Sequence, residues 1–289
     1  MEALERFGAP VYVRKQIVHN THVVRDLEAR GAVFVESEDD VPPGARLVFS
    51  AHGVAPAVRE RARARALFSI DATCPLVQKV HAEARHFSER GYSIIHIGHA
   101  GHDEVEGTTG EAPAAILLVE SVEDAERVQP PQVERLAYLT QTTLSVDETA
   151  GIVDVLRRRF PAIEAPRSED ICYATTNRQR AVKAMLAEID LLLVIGSRNS
   201  SNSNRLVEVA RTGGIAAYLI EDERQIDDAW LKRAETVGIT SGASAPESLV
   251  RRVLEWFRER GVDEIRTQRA VLENVSFRLP AEVRDPAPA

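Results

Sequence analysis

The stretch Ile97-Gly98-His99-Ala100-Gly101-His102 has a counterpart in Ile195-Gly196-Ser197-Arg198-Asn199-Ser200. In each, a short apolar run breaks at a glycine into small polar residues, and an amphipathic segment follows. That order reads as a strand delivering its carboxyl end to a loop and a helix. Working backward, twenty-eight positions separate Cys74 from His102 and again Cys172 from Ser200, and each cysteine opens a helix. Working forward, a further strand ends in small polar residues before a helix, at Thr140-Gln141-Thr142-Thr143 and at Thr240-Ser241-Gly242-Ala243-Ser244. Ser50-Ala51-His52-Gly53 is a third such ending. There are thus three second halves, with a cysteine-led first half before two of them. Self-similarity at fixed spacing marks repeated structural units; the plain alternative is that strand–helix–strand units look alike and the equal spacing is coincidence.

The rest of the chain fits the repeat. Short apolar runs such as Val11-Tyr12-Val13, Leu47-Val48-Phe49 and Ile116 to Val119 alternate with amphipathic stretches such as His22 to Arg30, Gln78 to Arg90, Val146 to Phe160 and Ser248 to Arg260. Such alternation predicts an α/β fold with parallel sheets. The expected organisation is three similar α/β units, residues 1–72, 73–169 and 170–260, in a trefoil, followed by a tail, 261–289, whose proline-rich end past Pro280 is expected to be frayed. Polar residues at the carboxyl ends of parallel strands are where α/β proteins hold ligands, so three units would converge their loops on one central site.

Composition bounds the chemistry. A net charge of −8 argues against nucleic acid or a membrane surface as a general partner, because phosphate backbones need basic stripes. A phosphate-bearing ligand would have to be held by a small local pocket. No apolar run approaches the ~18 residues of a membrane span, and the first residues, Met1 to Arg6, show no signal-peptide apolar region, so a cytoplasmic location is expected. Two cysteines do not make a disulfide scaffold; they read as metal-binding, catalytic or merely buried.

Cys74 and Cys172 both stand at helix starts, where the dipole is expected to favour the thiolate, the form that ligates metal; as single residues they read equally as small buried hydrophobes. The run His96 to Glu104 is dense in titratable groups. His99, His102 and Glu104 could form a mononuclear metal site; Glu104 beside His102 could be a proton donor, because a carboxyl in a closed pocket is pushed toward neutrality; or the run is a polar loop feeding a helix N-terminus. Ser197 to Asn204 is a run of small hydrogen-bonding residues suited to an anion at a helix N-terminus, or a capped solvent loop. It is neither a Walker A loop nor a dinucleotide fingerprint. His19, His52, Thr142 and Ser244 lie at comparable strand ends.

Taken together, eight segments in order resemble the 4-hydroxy-3-methylbut-2-enyl diphosphate reductase family, an iron–sulfur enzyme family of the non-mevalonate isoprenoid pathway. They are Ile17-Val18-His19-Asn20, Phe49-Ser50-Ala51-His52-Gly53-Val54, Asp71-Ala72-Thr73-Cys74-Pro75-Leu76, Gly98 to His102 with Glu104-Val105-Glu106-Gly107, Thr140 to Ser145, Ile171-Cys172-Tyr173-Ala174-Thr175-Thr176-Asn177-Arg178, Asn199 to Arg205, and Gly242 to Pro246. The resemblance implies a trefoil around a central 4Fe–4S cluster held by three cysteines, with Cys74 and Cys172 as two of them. It implies that His19, His52 and His102, with Ser200, Asn202 and Ser244, hold the diphosphate. Glu104 with Thr142 would hand a proton to the leaving hydroxyl, with His102 beside them, and Thr143, Thr175 and Ser201 would line the pocket. A ferredoxin or flavodoxin is the implied electron donor.

One feature departs from the family: its first cysteine, in a Gly-Phe-Cys-Ala-Gly segment, has no counterpart among these residues. Counting twenty-eight back from His19 passes Met1, so the repeat places the matching cysteine upstream, and a coding frame beginning before Met1 is expected. The expected activity is reduction of 4-hydroxy-3-methylbut-2-enyl diphosphate; the alternative is a non-catalytic diphosphate-binding homologue that cannot assemble the cluster.

Overall fold

The computed structural model describes residues 1–268 and 275–284. The chain begins with α1 (Glu2–Phe7), β1 (Val11–Arg14), α2 (Thr21–Ala29), β2 (Ala32–Val35), β3 (Arg46–Phe49), α3 (Pro56–Ala64) and β4 (Phe68–Asp71). It continues with α4 (Pro75–Glu89), β5 (Ser93–Ile97), α5 (Asp103–Glu111), β6 (Ile116–Val119), α6 (Val122–Arg127), β7 (Leu136–Thr140) and α7 (Val146–Arg159). Then come α8 (Tyr173–Met185), β8 (Leu191–Ile195), α9 (Ser201–Thr212), β9 (Ala216–Ile220), α10 (Asp228–Leu231), β10 (Val237–Ser241), α11 (Glu247–Arg258) and α12 (Ala281–Arg284).

The strands form three sheets, ordered β2-β1-β3-β4, β6-β5-β7 and β9-β8-β10. Among the described residues every strand pair is parallel. The same plan recurs: a central strand, a second strand on one side, a third on the other. The residue just past each central strand repeats the same bond, Lys15 N–H to the Val35 carbonyl, Gly98 N–H to Val119 and Gly196 N–H to Ile220. The central strands β5 and β8 are buried along their whole length, as expected of strands covered on both faces. This is the α/β fold of three similar units that the repeat predicts.

The first unit departs from the repeat by one residue. His102 and Ser200 are the N-caps of α5 and α9, but the N-cap of α2 is Asn20, whose side chain accepts from the amides of His22 and Val23. His19 matches His102 by register from the strand, not by helix position, and its ring is left out of the cap.

Strand β4, absent from the sequence expectation, is a four-residue run of alternating character, Phe68-Ser69-Ile70-Asp71. It pairs with β3 and leads into Cys74. In the second unit an isolated parallel bridge from Ala137 to Glu164 takes the same place before Cys172.

The tail is another correction. Residues 281–284 form α12, Val283 packs on the apolar face of β1, and the Arg6 guanidinium donates to the Val283 carbonyl at 2.6 Å. Apolar contact with the first sheet orders this part of the tail. The part of the frayed-tail expectation covering residues 285–289 lies outside the described residues.

Candidate functional site

The loops at the strand carboxyl ends meet at the junction of the three units, and each pair of units is tied by side chains. Units one and two meet through Lys15, whose ammonium bonds Asp103 and, at 2.8 Å, Glu106. Units two and three meet through Gln141, which donates to Thr143 Oγ1 at 2.8 Å and to Ser201 Oγ at 3.4 Å. Units three and one meet where Ser244 Oγ donates to the His19 carbonyl at 3.1 Å, and where Thr21 N–H donates to Ser197 Oγ at 3.0 Å.

Three imidazoles cluster at this junction. His19 and His52 stack with centroids 4.1 Å apart, and His102 stands edge-on at 5.6 Å and 5.9 Å from them. Burial is the main reason all three are hard to protonate; neighbouring imidazoles add to it at His52 and His102, and Lys15 adds to it at all three. The pKa of His52 is lowered to about 3 and that of His102 to about 4, while His19 is also lowered. His102 Nδ1 accepts the Glu104 amide at 3.2 Å, so in its neutral form the ring carries its proton on Nε2, free to be donated. Ser200 follows the same logic. Its oxygen accepts from Ser203 N–H at 3.3 Å and from Ser203 Oγ at 3.0 Å, leaving its own hydroxyl proton for a ligand.

Glu104 is the one buried carboxyl aimed at Thr142. It accepts from Thr142 N–H at 2.9 Å and from Thr142 Oγ1 at 3.0 Å. Burial pushes its pKa up to about 7, although both Thr142 donors pull it down. At neutral pH this carboxyl is divided between its protonated and ionised forms, as suits a proton donor.

Asn202 and Thr175 lie on the third-unit side. Asn202 Nδ2 donates to Thr175 Oγ1 at 3.1 Å, and Asn202 Oδ1 accepts the Ala243 amide at 3.1 Å. Asn202 therefore clamps α8 to the loop carrying Ser244. The clamp depends on close backbone approach: a Cβ at Gly196 or at Gly242 would lie 2.1 Å from Ser203 Oγ.

Both cysteines are half-buried free thiols standing as N-caps with matching backbone angles, φ −54° and ψ 134° at Cys74, φ −58° and ψ 135° at Cys172. Each amide is pinned to the preceding strand-end loop, Cys74 to the Ala51 carbonyl and Cys172 to that of Thr142. The thiolate expected from the helix dipole is not favoured at Cys172. Burial raises its pKa, the amides of Ala174 and Thr175 pull it back, and the charges of Cys74 and Glu104 raise it further. Two thiols and a carboxyl in electrostatic reach of each other make a site that a bound cation would stabilise.

The mononuclear site of His99, His102 and Glu104 is not formed. His99 Nε2 meets the Arg205 guanidinium at 3.4 Å, His102 turns to a backbone amide and Glu104 turns to Thr142. The one group among the described residues with three convergent metal-type ligands is His19, His52 and Asp103. Sequence reasoning gave no role to Lys15, Gln141 or Ser203, and placed Asp103 only in the titratable run before a helix. For Gln141 and Ser203 a signal was present, since both lie inside matched segments; for Lys15 there was none, because its partners are 88 and 91 positions away.

Comparison with known proteins agrees with the fold. A family model described as LytB protein matches residues 1–258. A protein of Acidothermus cellulolyticus named 4-hydroxy-3-methylbut-2-enyl diphosphate reductase is 61% identical over 284 residues, covering 98% of this chain and 84% of its own length. A protein of the same name from Nocardia farcinica is 56% identical over 98% of this chain and 84% of its own. The solved E-1-hydroxy-2-methyl-but-2-enyl-4-diphosphate reductase of Plasmodium falciparum superposes with a TM-score of 0.94 at 39% identity, covering 98% of this chain and 89% of that one.

Proposed function

We infer the activity from one premise: this chain belongs to the LytB protein family. It reduces 4-hydroxy-3-methylbut-2-enyl diphosphate. The allylic hydroxyl leaves as water, and isopentenyl and dimethylallyl diphosphates are the products. The observation that carries this reading is Glu104, a buried carboxyl poised near neutrality and joined to Thr142 beside the three histidines. The overall change consumes two electrons and two protons, with a ferredoxin or flavodoxin as donor.

The residues divide the work by their chemistry. Neutral donors, His102 Nε2–H and the Ser200 hydroxyl, face the diphosphate together with His19, His52, Asn202 and Ser244. Oriented neutral donors suit an anion in an acidic protein, since they need no compensating cation. Glu104 supplies a proton through Thr142 Oγ1 to the leaving oxygen, and Thr143, Thr175 and Ser201 wall the pocket.

The electron-transfer group that the family resemblance implies is a 4Fe–4S cluster. Cys74 and Cys172 suit two of its ligand positions: both are free thiols capping helices that start at the same junction. Cubane clusters are held by cysteine thiolates, and these 289 residues contain two, one short of the family's three. The donor set present does not complete the cluster, so the residue roles above rest on binding and proton transfer alone.

Calorimetry tests the reading without a cluster. The chain is expected to bind the diphosphate substrate, and Asn202→Ala to weaken it about tenfold or more, because the change also releases the Ala243 amide and the Thr175 hydroxyl. Unchanged affinity removes Asn202 from the site; absence of diphosphate binding by the parent chain overturns the reading.

Reconstitution is the second measurement. With iron and sulfide alone under anaerobic conditions, these 289 residues are expected to bind little or no cluster, because two thiolates are one short of the family's three; a small-molecule thiol supplied as the third ligand is expected to allow turnover with dithionite. Diphosphate binding without any turnover favours the non-catalytic alternative.

A further inference from the structure

A carboxylate stands where simple electrostatics would exclude one. Asp103, the first residue of α5, lies against the three histidines of a site for a polyanion. One of its oxygens is held by the Lys15 ammonium, and the other lies 3.9 Å from His52 Nδ1. That His52 nitrogen is buried and has no hydrogen-bond partner. The charged and titratable groups facing His52 come from two elements: His19 and Lys15 from the loop after β1, and His102 and Asp103 from the start of α5. Of these, Asp103 alone favours a protonated His52.

We propose, resting on the diphosphate-site reading above, that Asp103 is the counter-charge that lets the cluster of His19, His52 and His102 take up a proton when a diphosphate enters, so that ligand binding here is coupled to proton uptake. An entering diphosphate adds negative charge beside imidazoles that burial holds neutral, and opposite charge favours the ionised form. The three rings lie too close together to ionise at once, since each cation disfavours the next. Asp103 lies among all three rings and favours the protonated form of each, so it stabilises whichever ring takes the proton. Burial alone would raise the Asp103 pKa, but Lys15 and the histidines hold it below the ordinary value, so the carboxylate is already ionised when ligand arrives. A carboxylate that orients an imidazole and stabilises its imidazolium has the same physical role beside catalytic histidines elsewhere. Asp103 acts through the histidines and is a positioning residue.

Calorimetry of the full chain with inorganic pyrophosphate at pH 7, in two buffers of different ionisation enthalpy, counts the protons exchanged. The unmodified protein is expected to take up about half a proton or more per pyrophosphate, and Asp103→Asn to lose about half of that uptake or more. Pyrophosphate's own ionisation is common to both proteins, so the difference belongs to the chain. Asp103→Glu is expected to retain uptake, which a merely structural role for the aspartate would not require. Pyrophosphate bound with no uptake by the unmodified protein overturns the proposal whether or not the asparagine variant folds. Equal uptake in the folded asparagine variant overturns it as well. Both results leave the diphosphate site standing, whereas failure to bind pyrophosphate at all removes the site and the proposal together.

Discussion

Glu104→Gln is expected to cut turnover by ~10²-fold or more while raising stability at alkaline pH. The glutamine oxygen still accepts the Thr142 amide, and its NH₂ group can donate to Thr142 Oγ1, so the local bonds survive and the diphosphate is still bound. What is lost is the transferable proton. The stability effect has a definite sign. Burial raises this carboxyl from its ordinary 4.5 to about 7, so the folded state holds the proton across that interval while the unfolded state has released it. Each pH step upward through the interval therefore destabilises the parent protein, and the penalty is complete above the folded pKa. A shift of that size corresponds to ~3 kcal/mol. Urea unfolding should show the variant gaining about that much on the parent between pH 5 and pH 8. A difference between the two proteins that stays flat over that range would mean Glu104 titrates normally. Turnover of thiol-reconstituted enzyme within a few-fold of the parent would remove it as the acid.

Gly196→Ala is expected to damage both the fold and the site. A Cβ there would lie 2.1 Å from Ser203 Oγ and 2.7 Å from Ser203 Cβ, so rotating the hydroxyl away does not relieve the clash. Ser203 is fully buried in the first turn of α9, and its hydroxyl is bonded to Ser200. The helix must therefore retreat from the end of β8, carrying Ser200, Ser201 and Asn202 with it. Overpacking of this kind costs about 1–3 kcal/mol, and a displaced donor set should lower diphosphate affinity about tenfold or more. Adding Ser203→Gly should recover most of the stability, because it removes both clashing atoms, but less of the affinity, because the bonds from the Ser203 side chain are gone. Parent-like affinity in Gly196→Ala would show that α9 does not position the ligand.

The sequence by itself determined the α/β class, the threefold repeat and the residues gathered at the junction. Those properties are local: the 28-residue spacing, the strand–glycine–polar–helix order and the cysteines at helix starts are written in contiguous residues and survive any arrangement of the units. Even the departures were small, such as the cap falling on Asn20 instead of His19, and β4, too short and mixed in character to be seen without its partner β3. Tertiary structure decided what each group is. Cys172 has a raised pKa and not the lowered one its helix start suggested, because burial outweighs two helix amides. His99 pairs with Arg205, 106 positions away, and so is lost to a metal site that looked compact in sequence. Lys15, unremarked in the sequence, and Asp103, seen there only as part of a titratable run, meet across a unit boundary and set the charge around His52. Burial and long-range pairing depend on how three separately legible units come together, and a chain read residue by residue does not contain that distance.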